Sequence, residues 1–180
     1  FMLMTDLGEL DLVQAYASPV EDAALSAAVE TLIKLQDVQS PHIPPYDEAR
    51  LTMEFDLFAE WVLGQLLGKT GNDLAAKYAI ALTRAKTACI AAMLTQPQVC
   101  VHRDYHCRNV LFNHGQIGVV DFQDALVGPG LYDIASLLRD CYCQHDEQAI
   151  DYWLDYFLSR SAHFNTNDFA STKSAFDHTA

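Results

Sequence analysis

Val101-His102-Arg103-Asp104-Tyr105-His106-Cys107-Arg108-Asn109 decides how this chain is read. A short apolar run, Val99-Cys100-Val101, leads into it, and a second, Val110-Leu111-Phe112, follows it. Asn113-His114-Gly115-Gln116 then has the make-up of a tight turn before Ile117-Gly118-Val119-Val120. Alternating short strands around a Gly-bearing turn predict a β-hairpin. The hairpin ends in Asp121-Phe122. Asp104, Asn109 and Asp121 therefore fall at strand ends, where a few intervening residues let their side chains share one cleft. Asn109 offers a neutral carbonyl oxygen and Asp121 a carboxylate, and both are hard ligands of the kind Mg²⁺ takes.

The stretch resembles the H-R-D-x-x-x-x-N catalytic loop of kinases, and Asp121-Phe122 resembles their metal-binding segment. Asp121 lies 121 − 104 = 17 positions after Asp104, which leaves room for the asparagine and one hairpin. The resemblance implies that Asp104 accepts or aims the proton of an attacking hydroxyl. It implies that Asn109 and Asp121 hold Mg²⁺, and that His102 braces the Asp121 segment. Arg103 and Arg108 are candidates for substrate contacts or for pairing with acidic neighbours.

Val120-Asp121-Phe122-Gln123-Asp124-Ala125, then Gly128-Pro129, resembles the phosphotransferase family of aminoglycoside kinases, choline kinases and bacterial sugar kinases. Protein kinases have D-F-G at this point. Leu131-Tyr132-Asp133-Ile134-Ala135-Ser136-Leu137 resembles the family's next helix, in which Asp133 braces the catalytic loop. Asp124 would lie near the metal or hold its loop. Within the family, three stretches look most like the bacterial N-acetylmuramate/N-acetylglucosamine kinases of cell-wall sugar recycling. They are residues 102–106, residues 121–126 and Ser136-Leu137-Leu138-Arg139-Asp140-Cys141-Tyr142. Glu54-Phe55-Asp56-Leu57-Phe58-Ala59-Glu60-Trp61 resembles their substrate-side helix, with Glu60 able to bond sugar hydroxyls and Trp61 to pack on the ring.

The implied fold is α+β and mainly helical, the C-terminal lobe of a protein-kinase-like fold with a small β-hairpin beside the catalytic loop. The implied activity is ATP- and Mg²⁺-dependent phosphoryl transfer to a sugar hydroxyl, the anomeric one of the amino sugar. An aminoglycoside or other amino-alcohol kinase is the alternative, and a non-catalytic kinase-like binding lobe is a second.

The rest of the sequence sets bounds. Its 180 residues are 51% hydrophobic, enough for a core, and its formal net charge of −13 leaves no basic patch for nucleic acid. No run of about 18 apolar residues predicts a membrane span. The five cysteines are an odd number without a C-x-x-C pair and read as reduced thiols of a cytoplasmic protein.

Helical patterns cover 9–17, then a helix opened by Ser18-Pro19 with Pro in its first turn and Leu25, Ala28, Val29, Leu32 and Leu35 on one face. From Asp47 to Leu67, Leu51, Phe55, Phe58, Val62 and Leu66 share a face. Gly68 to Gly71 ends that segment, and Asn72 caps a long helix to about Met93. Further helices begin at Leu131 and Glu147.

Phe1 to Thr5 reads as the end of a strand. Met4, Thr5, Asp6 and Leu7 resemble the family's nucleotide hinge, so residues 1–8 are expected to be the hinge and 9–180 the lobe. No G-x-G-x-x-G and no strand lysine occur. The ATP-gripping lobe and the last helices of the family are therefore expected to lie outside this sequence. An apolar face left where that lobe packs favours self-association.

Overall fold

Val99, Cys100 and Val101 are all buried, and their strand is the axis on which the fold is arranged. The structure is a computed structural model that describes residues 6–8, 10–16, 18–164 and 168–180. The strand expected at residues 1–5 lies outside the described residues.

The described elements begin with α1 (Leu12–Tyr16), α2 (Glu21–Gln36) and α3 (Glu48–Leu57). A π-type helical segment (Phe58–Leu66), α4 (Gly68–Lys77) and α5 (Ala79–Leu94) follow. Next come β1 (Gln98–Val101), β2 (Val110–Asn113), β3 (Gln116–Val119), a 3₁₀ turn (Phe122–Asp124) and β4 (Leu126–Pro129). The chain closes with α6 (Tyr132–Leu138), α7 (Glu147–Arg160) and α8 (Phe169–Thr179). The architecture is mainly helical, as the sequence predicts.

The strands make two separate antiparallel ribbons. β2 pairs with β3 from Val110↔Val119 to Asn113↔Gln116, so His114 and Gly115 alone form the turn. Both have positive φ, 48° and 81°, which suits the right-handed twist of a two-residue hairpin. β1 pairs with β4, which the sequence pattern did not disclose, from Gln98↔Pro129 to Val101↔Leu126. The chain leaves β1 for β2 through 102–109 and leaves β3 for β4 through 120–125. With β1 against β4 and β2 against β3, both connections cross the same gap side by side. This topology, more than any one side chain, brings the candidate residues together.

Helices pack around this frame. On α2, Leu25, Ala28, Val29 and Leu32 are buried at the predicted spacing, and each such leucine or valine contributes roughly 1.5–3 kcal/mol. Ile134, Leu137 and Leu138 of α6 and Leu154 and Phe157 of α7 join the same core. A smaller core of Tyr46, Leu51, Ile90, Met93, Val99, Val101 and Leu126 lies on the other side of β1 and β4. Aspartates cap helices among the described residues: Asp11 accepts from the Gln14 N–H at 3.0 Å, Asp47 from Arg50 at 3.0 Å, Asp146 from Ala149 at 2.8 Å and Asp168 from Ser171 at 3.1 Å.

Several local expectations need correction. Pro19 falls in the turn before α2, which starts at Glu21, because Val20 takes the N-cap position. The face from Leu51 to Leu66 is not a buried stripe: Leu51 is buried, but Phe58 and Leu66 are exposed. The π-type segment, with its wider turn, breaks the 3.6-residue register that the pattern assumed. The segment from Asp47 does end at Leu66, just before Gly68 with its left-handed φ of 54°, but Gly68 and Gly71 also open α4, so Asn72 lies inside a helix and caps nothing. Gly71 is needed for closeness, since a Cβ there would sit 1.9 Å from the Leu63 carbonyl oxygen. The long helix to Met93 is two, broken at Tyr78. α8 was not foreseen.

Candidate active site

Leu131 and Gly130 fix the start of α6, and α6 fixes the 102–109 loop. The Gly130 N–H donates to the Pro97 carbonyl at 2.9 Å, and the buried Gln36 amide donates to the Gly130 carbonyl at 2.7 Å. Gln96 Oε1 accepts from the Leu131 N–H at 3.0 Å. One turn along, Asp133 is fully buried. Its Oδ2 accepts from the His102 N–H at 2.6 Å and its Oδ1 from the Arg103 N–H at 2.9 Å. Burial pushes the Asp133 carboxyl up to about 7, against the pull of those two N–H groups.

His102 is also fully buried, and neither ring nitrogen has a hydrogen-bond partner among the described residues. Burial holds its pKa below the ordinary histidine range, opposed by the Val120 carbonyl and the charges of Asp104 and Asp121. The His102 ring lies 5.9 Å edge-on from the Tyr105 ring. Tyr105 anchors the loop from below, donating its buried hydroxyl to the Ala28 carbonyl of α2 at 2.8 Å.

Arg103 takes a positive φ of 78°, which turns its side chain toward α3. Its Nη2 lies 2.5 Å from Glu54 Oε1, and its guanidinium lies 5.4 Å from the Tyr46 ring centroid. The Tyr46 hydroxyl donates to the other Glu54 oxygen. Arg103 thus pairs with an acidic neighbour and ties the loop to α3. Arg108 is exposed and stacks at 4.3 Å over the Tyr142 ring.

Asp104 is half-buried at the start of the loop's outward turn. Its carbonyl accepts from Asn109 Nδ2 at 3.1 Å, and the Asn109 N–H donates to the His106 carbonyl at 2.9 Å. With its amide nitrogen engaged in this way, Asn109 has its Oδ1 left as a ligand atom. The Asn109 carbonyl accepts from the Val120 N–H at 3.1 Å, which places Asp121 one residue beyond Asn109's own partner. Asp121 is exposed and adopts a left-handed backbone, φ 69° and ψ 40°. Its Oδ1 accepts from Gln123 Nε2 at 2.7 Å. Asp124 is exposed on the 3₁₀ turn.

Asn109 and Asp121 suit Mg²⁺ by donor chemistry, because both present oxygen, and Mg²⁺ asks for few protein ligands. Among the described residues no cluster of three His, Cys, Asp or Glu side chains is gathered as a metal site. Of the hinge residues, Met4 and Thr5 lie outside the described residues. Asp6 accepts from the Gly8 N–H at 2.9 Å, and Leu7 packs over Gly118 of β3. The segment therefore lies against the hairpin that ends at Asp121.

Glu60 and Trp61 are exposed on the π-type segment, which packs against α3 and α4. Neither is brought to Asp104 by any contact among the described residues. Two supports escaped the sequence reading. Glu54 could be suspected only as one more acidic residue on a helix. Asp140 is buried, and its Oδ2 accepts from the Cys107 N–H at 2.7 Å.

Comparison with known proteins identifies the family. Residues 1–167 match the model of the phosphotransferase enzyme family. An N-acetylmuramate/N-acetylglucosamine kinase of Pseudomonas putida is 36% identical over 164 residues, 90% of this chain and 48% of the relative. Its namesake in Neisseria meningitidis serogroup B is 34% identical, over 85% of this chain and 48% of the relative. The one in Pseudomonas aeruginosa is 35% identical, over 89% and 47%. The chain spans about half the length of the curated relatives it matches. The crystal structure of the ADP-bound aminoglycoside phosphotransferase APH(2'')-Ib superposes with a TM-score of 0.60 at 14% identity. That match covers 96% of this chain and 57% of the other and shows a shared fold. The chain belongs to the phosphotransferase enzyme family.

Proposed function

We propose that this chain carries the catalytic loop of an ATP- and Mg²⁺-dependent kinase that phosphorylates a sugar hydroxyl. The acceptor in this reading is N-acetylmuramate or N-acetylglucosamine, at the anomeric position, in cytoplasmic recycling of cell-wall amino sugars. Asp104 aims the acceptor hydroxyl and takes its proton. Asn109 and Asp121 hold the metal, which when bound neutralises charge on the transferred phosphoryl group. Asp133 and His102 keep the loop in place, and Met4, Thr5, Asp6 and Leu7 serve as the nucleotide hinge.

The observation that carries the reading is the Val120–Asn109 backbone hydrogen bond together with the Asn109–Asp104 contact. They hold the three residues on adjacent connections of one frame. The choice of amino sugar is supported by the names of the curated relatives.

The test is ATP·Mg²⁺-dependent turnover by the full-length gene product. N-acetylmuramate, N-acetylglucosamine and an aminoglycoside compete as acceptors, and the products are read by phosphorus NMR. An anomeric sugar phosphate is the expected product. Phosphorylation of the aminoglycoside alone would overturn the acceptor but keep the chemistry, and no transfer to any acceptor would overturn both.

A further inference from the structure

The 140–143 segment clasps the outer side of the catalytic loop at several points. Asp140 holds the Cys107 N–H with one carboxylate oxygen and the Tyr142 N–H with the other, at 2.7 and 2.8 Å. The Tyr142 ring lies 4.3 Å below the Arg108 guanidinium and 5.4 Å from the His106 ring. Next along, Cys143 Sγ lies 3.7 Å from Cys107 Sγ. All five cysteines are free thiols, and among the described residues this is the pair in contact. Cys107 is buried midway between Asp104 and Asn109, whereas Cys143 is half-buried.

We propose that Cys107 and Cys143 form an oxidisable dithiol whose closure to a disulfide displaces the 104–109 loop. Three observations support it. The sulfurs already touch, so no large backbone movement is needed to bring them together. No three-ligand metal cluster includes them among the described residues, so a structural metal does not account for the pairing. Closure shortens that separation, because a disulfide bond is about 2.05 Å long and the sulfurs must approach by more than about 1.5 Å. Cys107 is two residues from Asn109, and its N–H is pinned by Asp140. Whatever side-chain rotation does not take up of that movement falls on the Asp140 clasp and the Asn109–Asp104 contact.

With a hydroperoxide as oxidant the chemistry balances. The more accessible Cys143 sulfur attacks hydrogen peroxide, breaks its O–O bond and becomes a sulfenic acid, releasing one water. Cys107 sulfur then attacks the sulfenic sulfur. The S–S bond forms, and hydroxide leaves with the Cys107 proton as a second water. Two thiols lose two electrons and two protons in all, and the peroxide is reduced to two waters. A thiol reductant reverses the change by exchange.

The link depends only on the sulfur geometry, whereas its consequence for turnover rests on the kinase reading above. The experiment therefore reads the link without activity. The 180-residue chain is treated with hydrogen peroxide, its remaining thiols are alkylated and it is digested without reduction. The expected result is a Cys107–Cys143 linked peptide, with faster amide exchange across residues 104–109 and full reversal by dithiothreitol. Cys143→Ser should abolish both the link and the change in exchange while leaving Cys141 open to alkylation. Recovery of Cys107 as an unlinked thiol, or a link that leaves exchange at 104–109 unchanged, would overturn the proposal. In the full-length gene product, peroxide should lower turnover reversibly in the parent but not in Cys143→Ser. Inactivity before oxidation would count against the kinase reading and leave the link to be judged by mass alone.

Discussion

Residues 99–138 and residues 53–82 are both rich in apolar side chains, and they meet opposite fates. In the first region Val101, Ile134 and Leu137 are fully buried, and the polar groups among them are held by Asp133, Gln36 and Gln96. In the second, Leu66 is 77% exposed, Ile80 73% and Trp61 59%. Hydrophobic spacing states which residues want cover, but only a partner supplies it. The first region has partners in α2, α7 and the paired ribbons. The second has few within the described residues. We propose that this face meets another apolar surface, a second copy of the chain being the case tested below.

The comparison yields tests in descending size. In the full-length gene product, Asp104→Asn should lower kcat by about 10²- to 10⁴-fold while changing the KM for ATP little, since it removes proton acceptance and aiming. Near-normal kcat would take Asp104 out of the chemistry. In the buried region, Leu137→Ala should destabilise the chain by about 2–5 kcal/mol in urea unfolding, the cost of lost burial plus a cavity. A loss as small as that of a surface substitution would mean that the core of α6 is not as packed as described.

Asp133 makes the next contrast, through pH. Its carboxyl is pushed up to about 7 in the folded chain, above the usual value near 4 of an unfolded aspartate. The folded state therefore binds that proton more tightly. Unfolding releases it between about pH 4 and 7, and rising pH across this window lowers stability. Asp133→Asn should remove that part of the slope in denaturant melts taken at several pH values. An unchanged slope would show that the carboxyl is ionised throughout. The smallest effect belongs to the exposed region, where Leu66→Ser and Ile80→Ser should each change stability by no more than about 0.5 kcal/mol. Both should reduce self-association in sedimentation. A large loss of stability would mean that these side chains are covered after all.

The same division explains what could be read from the residues alone. Asp104, Asn109 and Asp121 were legible through their resemblance to a kinase catalytic loop and metal-binding segment, with strand and turn punctuation around them within a short span. β1 and β4 pair across 25 or more residues, and nothing local announces such a partner. The break at Tyr78 and the π-type segment were missed for a different cause. Their register depends on packing such as that of Gly71 on the Leu63 carbonyl, which propensity does not report. Asp140 and Glu54 were missed as supports because an acidic residue near a helix end is ordinarily solvated. Here the loop's own N–H and guanidinium groups are what they meet.

The central claim is that two adjacent connections bring Asn109 and Asp121 to one metal. Titration of Mn²⁺ into the ¹⁵N-labelled chain in the presence of ATP tests it, with paramagnetic broadening read residue by residue. The account predicts that the Asn109 side-chain amide and the backbone amides of Asp121 and Phe122 broaden together, at the lowest Mn²⁺ that broadens anything. Broadening of only one of the two segments, or first broadening at acidic clusters elsewhere, would contradict it.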